Sequence, residues 1–73
     1  MVDLDFHMDA FVDRLTEFMG ERNVLTFSKA IGIPNRTISS WVKKERVPTI
    51  EYLILLARKF ECTIDYLVGL ADY

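Results

Sequence analysis

The chain is poor in the residues that covalent, metal and nucleophilic chemistry most often needs. It holds one cysteine, Cys62, and one histidine, His7, among 73 residues. A lone cysteine excludes an internal disulfide and provides no zinc-ligand spacing, so Cys62 reads most simply as a small core side chain. His7 falls in an N-terminal stretch, Asp3 to Phe6 and onward, that has no helical stripe. The dipeptide His7-Met8 resembles a cloning scar ahead of a natural start at Met8. Residues 1–7 are therefore expected to be a frayed tail and residues 8–73 the folded domain. No base lies near Cys62 in sequence, and the few glycines form no phosphate-cradling loop. With nothing pointing to catalysis, the expectation is no enzyme, no cofactor and no metal. Long apolar runs are missing too: no stretch approaches the roughly 18 to 20 uninterrupted apolar residues of a membrane span, and no basic stretch followed by an apolar one marks a signal peptide. The expected setting is the cytoplasm, away from membranes. Internal repeats and low-complexity linkers are likewise lacking.

Net charge is scarce as well, −2 at neutral pH. That would argue against a polyanionic partner if the charges were evenly mixed, but they are segregated. Residues 1–21 carry Asp3, Asp5, Asp9, Asp13, Glu17 and Glu21 against Arg14, a net −5. Residues 22–46 carry Arg22, Lys29, Arg36, Lys43, Lys44 and Arg46 against Glu45, a net +5. The remainder, with Arg58 and Lys59 against Glu51, Glu61, Asp65 and Asp72, returns to −2. The plain alternative for the central block is a set of ordinary solvated cations.

What the chain does have is apolar residues, 51% of the sequence. A domain of this size buries only about 60% of its unfolded surface, so a high apolar fraction is what lets it support a core. The apolar positions follow helical spacing. Met8, Phe11, Leu15 and Phe18 make a stripe over a first helix from about Asp9 to Glu21, whose end Gly20 and Asn23 weaken. Phe27 and Ile31 stand four apart on a short second helix, with Ser28 small enough to let another helix approach. Gly32 follows, where a left-handed residue closes a helix without a Cβ clash. Pro34, tolerated in a first turn, leads into a third helix starting near residue 34 or 35. There Ile38 and Trp41 are spaced i, i+3, while Asn35, Arg36, Ser39, Ser40 and Lys43 fall on the opposite side. A fourth helix begins after Pro48 with Thr49 as N-cap and Glu51 near its positive end, burying Ile50, Leu53, Leu56, Ala57 and Phe60. Thr63 caps a fifth, Asp65 lies in its first turn, Ile64, Leu67 and Val68 face inward, and Gly69 marks its end. The fold class expected is all-α, a compact five-helix domain.

The run of Phe27, Ser28, Ile31, Gly32, Ile33, Thr37, Ile38 and Trp41 resembles the helix-turn-helix of the phage repressor and Cro family, the xenobiotic-response-element type. The resemblance continues through Pro48 to Leu53 and Thr63 to Gly69 and covers roughly residues 11–70. It implies a lambda-repressor-like fold whose second and third helices form the helix-turn-helix, and sequence-specific binding of double-stranded DNA as a transcriptional repressor. It also implies a homodimer on a palindromic operator, since such units commonly bind two half-sites about one helical turn apart. By family position Asn35, Arg36 and Ser40 reach base edges in the major groove. Arg36 suits guanine O6 and N7, and Asn35 suits adenine N6 and N7. Thr37, Ser39, Lys43, Lys44 and Arg46 are expected at phosphates. The link between the first two helices is two residues shorter than in the family, which leaves Thr26 as the nearest substitute for the polar phosphate contact at the start of the second helix. Met19 and Val42 fall where many members carry an arginine–glutamate pair, and they are expected to touch. Leu55, where the family usually has a charged residue, and Tyr66, Leu70 and Tyr73 near the C-terminus are candidate dimer-interface residues, with ordinary packing as the alternative for each. The competing reading of the whole chain is a protein-interaction module of the same fold, antitoxin-like or regulator-pairing, with little DNA binding of its own.

Overall fold

A computed structural model describes residues 8–72, and all of its regular structure is helical. The frayed-tail expectation for residues 1–7 and the candidate Tyr73 lie outside the described residues. Five helices follow one another: α1 (Met8–Met19), α2 (Val24–Ile31), α3 (Asn35–Val42), α4 (Ile50–Lys59) and α5 (Ile64–Leu67).

Local chemistry places most of the boundaries. Asn23, Thr49 and Thr63 sit in extended backbone and accept from the amides of Thr26, Tyr52 and Tyr66 at 2.8, 3.3 and 3.0 Å, so α2, α4 and α5 each begin with a side-chain cap. Asn23 thus opens α2 as well as ending the stretch after α1. At Gly32 the backbone is left-handed, φ 77°, and its N–H donates to the Ser28 carbonyl at 2.8 Å. This turn is what redirects the chain from α2 into α3 within a few residues.

The core gathers one stripe from each helix. Phe11, Leu15 and Met19 of α1, Phe27 and Ile31 of α2, Ile38 and Trp41 of α3, Leu53 and Leu56 of α4 and Leu67 of α5 are buried around Ile33 of the turn. Aromatic rings tie the stripes together. Trp41 meets Phe11 edge-on with centroids 5.5 Å apart and Tyr52 edge-on at 5.4 Å, while Phe60 stacks on Phe18 at 4.1 Å. Cys62 is half-buried, and that burial pushes its thiol above the ordinary cysteine value. Met19 is in the core, and Val42 is partly buried against the core cluster as a whole.

One expected core residue is not there. Ile50 is 60% exposed, because the inward stripe of α4 begins at Leu53 and runs through Leu56 to Phe60, leaving the first residue of the helix beyond the packed region. Ile64 and Val68 are only partly buried; Leu67 alone carries α5 into the interior. The first helix also stops at Met19, two residues short of Glu21, where Gly20 turns left-handed.

Candidate nucleic-acid interface

The residues that sequence reasoning gathered into a polar face lie on α3 and on the loop behind it. Ile38 and Trp41 are buried, 0% and 1% exposed, so apolar contact clamps α3 from beneath. That fixes which way its other side points. Asn35 and Arg36 are exposed at its first turn, Thr37, Ser39 and Ser40 are half-buried along its flank, and Lys43 is exposed at its end. Pro34 provides no side-chain cap, in contrast with α2, α4 and α5, and its carbonyl takes the amides of Thr37 and Ile38. Ser40 donates its hydroxyl to the Thr37 carbonyl at 2.7 Å, which leaves its oxygen to present an acceptor to anything outside.

The tertiary fold brings some of these residues together and not others. Arg36, Thr37 and Ser40 share an open cleft of about 420 Å³ with Arg46, Val47, Thr49 and Tyr52, floored by Trp41. The cleft lies between α3 and the start of α4, with two guanidiniums and two threonine hydroxyls around it. Asn35, Ser39, Lys43, Lys44 and Thr26 do not line it. Thr26 stands exposed on the first turn of α2, its amide capped by Asn23. The cleft's far wall escaped sequence reasoning, although a signal existed. A Thr49 cap places Tyr52 one turn along on the same side of α4, next to the Trp41 that braces α3.

The six cations of the central block do not share one role. Arg22 donates to the carbonyls of Phe18 and Met19 at 2.8 and 3.1 Å and lies over the Phe27 ring at 5.1 Å. It closes the C-terminal end of α1, where a cation is favoured by the helix dipole. Lys44 ends α3 in a left-handed residue, φ 62°, with its amide donating to the Trp41 carbonyl and the Glu45 amide to that of Ser40. This is the Schellman arrangement with lysine where glycine is usual. The turn carries the Lys44 ammonium back to α1, where it pairs with the Asp9 carboxylate. The hydrogen bond and charge of Lys44 hold the Asp9 carboxyl below its ordinary value, and the same bond, with Asp9 and Asp13 nearby, raises Lys44 above the ordinary lysine value. To meet a phosphate, Lys44 must leave Asp9. Lys29, Arg36, Lys43 and Arg46 are exposed cations with no such commitment to α1.

The candidate interface residues also separate. Tyr66 is held in an intramolecular arrangement: the Arg14 guanidinium lies over its ring at 4.2 Å, and its hydroxyl donates to Glu17 at 3.4 Å. Leu70 is 70% exposed, whereas Leu55 is half-buried and packs against the core.

Over residues 25–67, more than half of its length and running from the second residue of α2 to the end of α5, the chain matches the model of a family described as helix-turn-helix. No curated protein and no solved structure matches it.

Proposed function

The chain belongs to the helix-turn-helix family, a family of DNA-binding domains rather than enzymes, and on that premise we propose that it is a transcriptional repressor of the phage or prophage type. It reads a palindromic operator by laying α3 in the major groove, one copy on each half-site. The observation that carries the reading is the division of α3 into a buried edge, Ile38 and Trp41, and an outward one that begins with exposed Asn35 and Arg36.

Each outward residue has a role its chemistry suits. Arg36 forms paired bonds with guanine O6 and N7, and Asn35 does the same with adenine N6 and N7. Ser40, its proton already given to Thr37, accepts from a base amino group. Thr26, Thr37, Ser39, Lys43, Lys44 and Arg46 take backbone phosphates and set register. Arg46 reaches its phosphate across the cleft it shares with Arg36. Lys44 contributes only after exchanging Asp9 for DNA.

Selection of bound sites from a random pool of duplexes tests the reading and reports preferred bases and half-site spacing together. Affinity for the selected duplex is expected to fall steeply with salt, each cation at a phosphate adding about −0.9 to the slope of log K against log salt. A protein-interaction module would select no sequence and show no such slope.

A further inference from the structure

A second hollow lies where the C-terminal ends of α1 and α4 meet α5. It is an open groove of about 760 Å³ with an apolar floor: the stacked rings of Phe18 and Phe60, both half-buried, with Cys62 and Ala71 beside them. Among the described residues that line it, the charged ones are Glu61, Asp65 and Asp72, all carboxylates and all exposed. Arg14 lies over the Tyr66 ring and Arg22 bonds the Phe18 carbonyl, but neither lines the groove. None of its residues lines the α3 cleft or belongs to the proposed DNA face. Glu61 stands there against the preference of the fold. It closes α4 in a left-handed conformation, φ 52°, with the Cys62 amide donating to the Ala57 carbonyl at 3.0 Å, where glycine is usual. Its carboxylate also sits at the negative end of the helix dipole, where a cation is favoured.

An apolar floor inside an acidic rim fits a partner of the opposite charge that brings its own apolar side chain. We propose that this groove docks a basic amphipathic segment of another protein, a short helix with lysines or arginines three and four residues apart and one aromatic side chain among them. The aromatic side chain covers the exposed part of Phe18 and Phe60, and the cations around it meet Glu61, Asp65 and Asp72. Charge argues against the other occupants. A two-fold contact between two copies through this groove would set the three carboxylates of one against the same three of the other. A nucleic acid would be repelled by the rim, and a polyamine would satisfy the rim while leaving the rings in water. The inference goes beyond the DNA reading, and because its test contains no DNA, either can fail without the other.

The test is titration of the full chain with a synthetic helical peptide of about three turns, built of alanine and leucine with lysines three and four apart and one central phenylalanine. Binding is read by fluorescence anisotropy and by amide chemical shifts, with circular dichroism to check that each variant is folded. Saturable one-to-one binding is expected, with the shifts concentrated between Phe60 and Tyr66. Glu61→Lys/Asp72→Lys should weaken it about tenfold and should bind instead the same peptide with glutamate at each lysine. Glu45→Lys/Glu51→Lys, the same change in net charge placed away from the groove, should behave as the parent. Phe18 and Phe60 also support the fold, so the apolar half is tested from the peptide: serine in place of its phenylalanine should weaken binding about tenfold. The proposal is overturned if the peptide does not bind saturably, if the shifts fall at Asp9 and Asp13 instead, or if the groove reversal binds as tightly as the parent. It is equally overturned if the serine peptide or spermidine binds as tightly as the phenylalanine peptide, or if raising the concentration of the chain alone shifts the groove signals as the peptide does.

Discussion

Helices α3 and α4 are neighbours in sequence, share the Trp41–Tyr52 contact and bury similar apolar stripes, yet their outward sides are opposites. On α3 the outward surface is amide and guanidinium, with half-buried hydroxyls along the flank and the Lys43 ammonium just past its end; on α4 it is exposed Ile54, with half-buried Leu55 beside it, between Glu51 and Arg58. Polar groups with free donors and acceptors gain from a partner that is itself hydrogen-bonding and charged, as a DNA groove is. An aliphatic pair gains from being removed from water, and its flanking charges then decide which protein surface fits. The same packing scheme therefore leaves a polar outward surface on one helix and a partly apolar one on the next.

The contrast is lost altogether if the shared support is removed. Trp41→Ala deletes the ring that touches both Phe11 and Tyr52, and loss of a buried tryptophan costs about 3 to 5 kcal/mol. In a 73-residue domain this is expected to unfold most of the chain, seen as a urea transition moved close to zero denaturant. A finer cut separates the faces. Arg36→Ala should weaken binding of the selected duplex by about 1 to 3 kcal/mol, while its melting curve and its mass in sedimentation stay those of the parent. If that substitution changed the oligomeric state instead, the outward side of α3 would be a protein contact and not a base-reading one.

The turn joining α2 to α3 gives the next effect. A Cβ at Gly32 would meet nothing within 4 Å, so Gly32→Ala is opposed by the left-handed backbone and not by crowding. The expected loss is about 1 to 2 kcal/mol in chemical denaturation, and a larger loss would mean that α2 and α3 had moved apart. Smallest is Asp9→Asn. The Asp9–Lys44 pair is exposed, so thermal unfolding at neutral pH should shift by no more than replicate scatter. Its pH dependence has a definite sign. The lowered Asp9 carboxyl contributes above its ordinary value and loses that contribution only as pH falls through its depressed one. The raised Lys44 ammonium keeps its contribution until pH rises through its elevated value. The same substitution should strengthen DNA binding slightly and steepen its salt slope, since Lys44 no longer has a competing carboxylate.

Much of the fold was legible in residue order. The caps at Thr49 and Thr63, the turn at Gly32 and the stripes Phe11–Leu15, Phe27–Ile31 and Ile38–Trp41 depend on groups within about four positions of one another. The candidate site was legible in part. Exposure of Asn35 and Arg36 followed from burial of Ile38 and Trp41, but membership of the cleft did not, because Val47, Thr49 and Tyr52 reach it from another helix. The central block read as one positive patch, whereas Arg22 is spent on α1's last carbonyls and Lys44 on Asp9, 35 residues away.

Residue order by itself determined where α3, α4 and α5 start, where the chain turns between α2 and α3 and which edge of each helix is apolar, because hydrogen-bonding reach and the 3.6-residue period are properties of the local chain. It had no means of fixing whether Ile50 finds a neighbour, which carboxylate a long lysine meets, or that Arg36 and Arg46 border one hollow. Those outcomes depend on where distant segments come to rest, and only the assembled packing of five helices sets those distances.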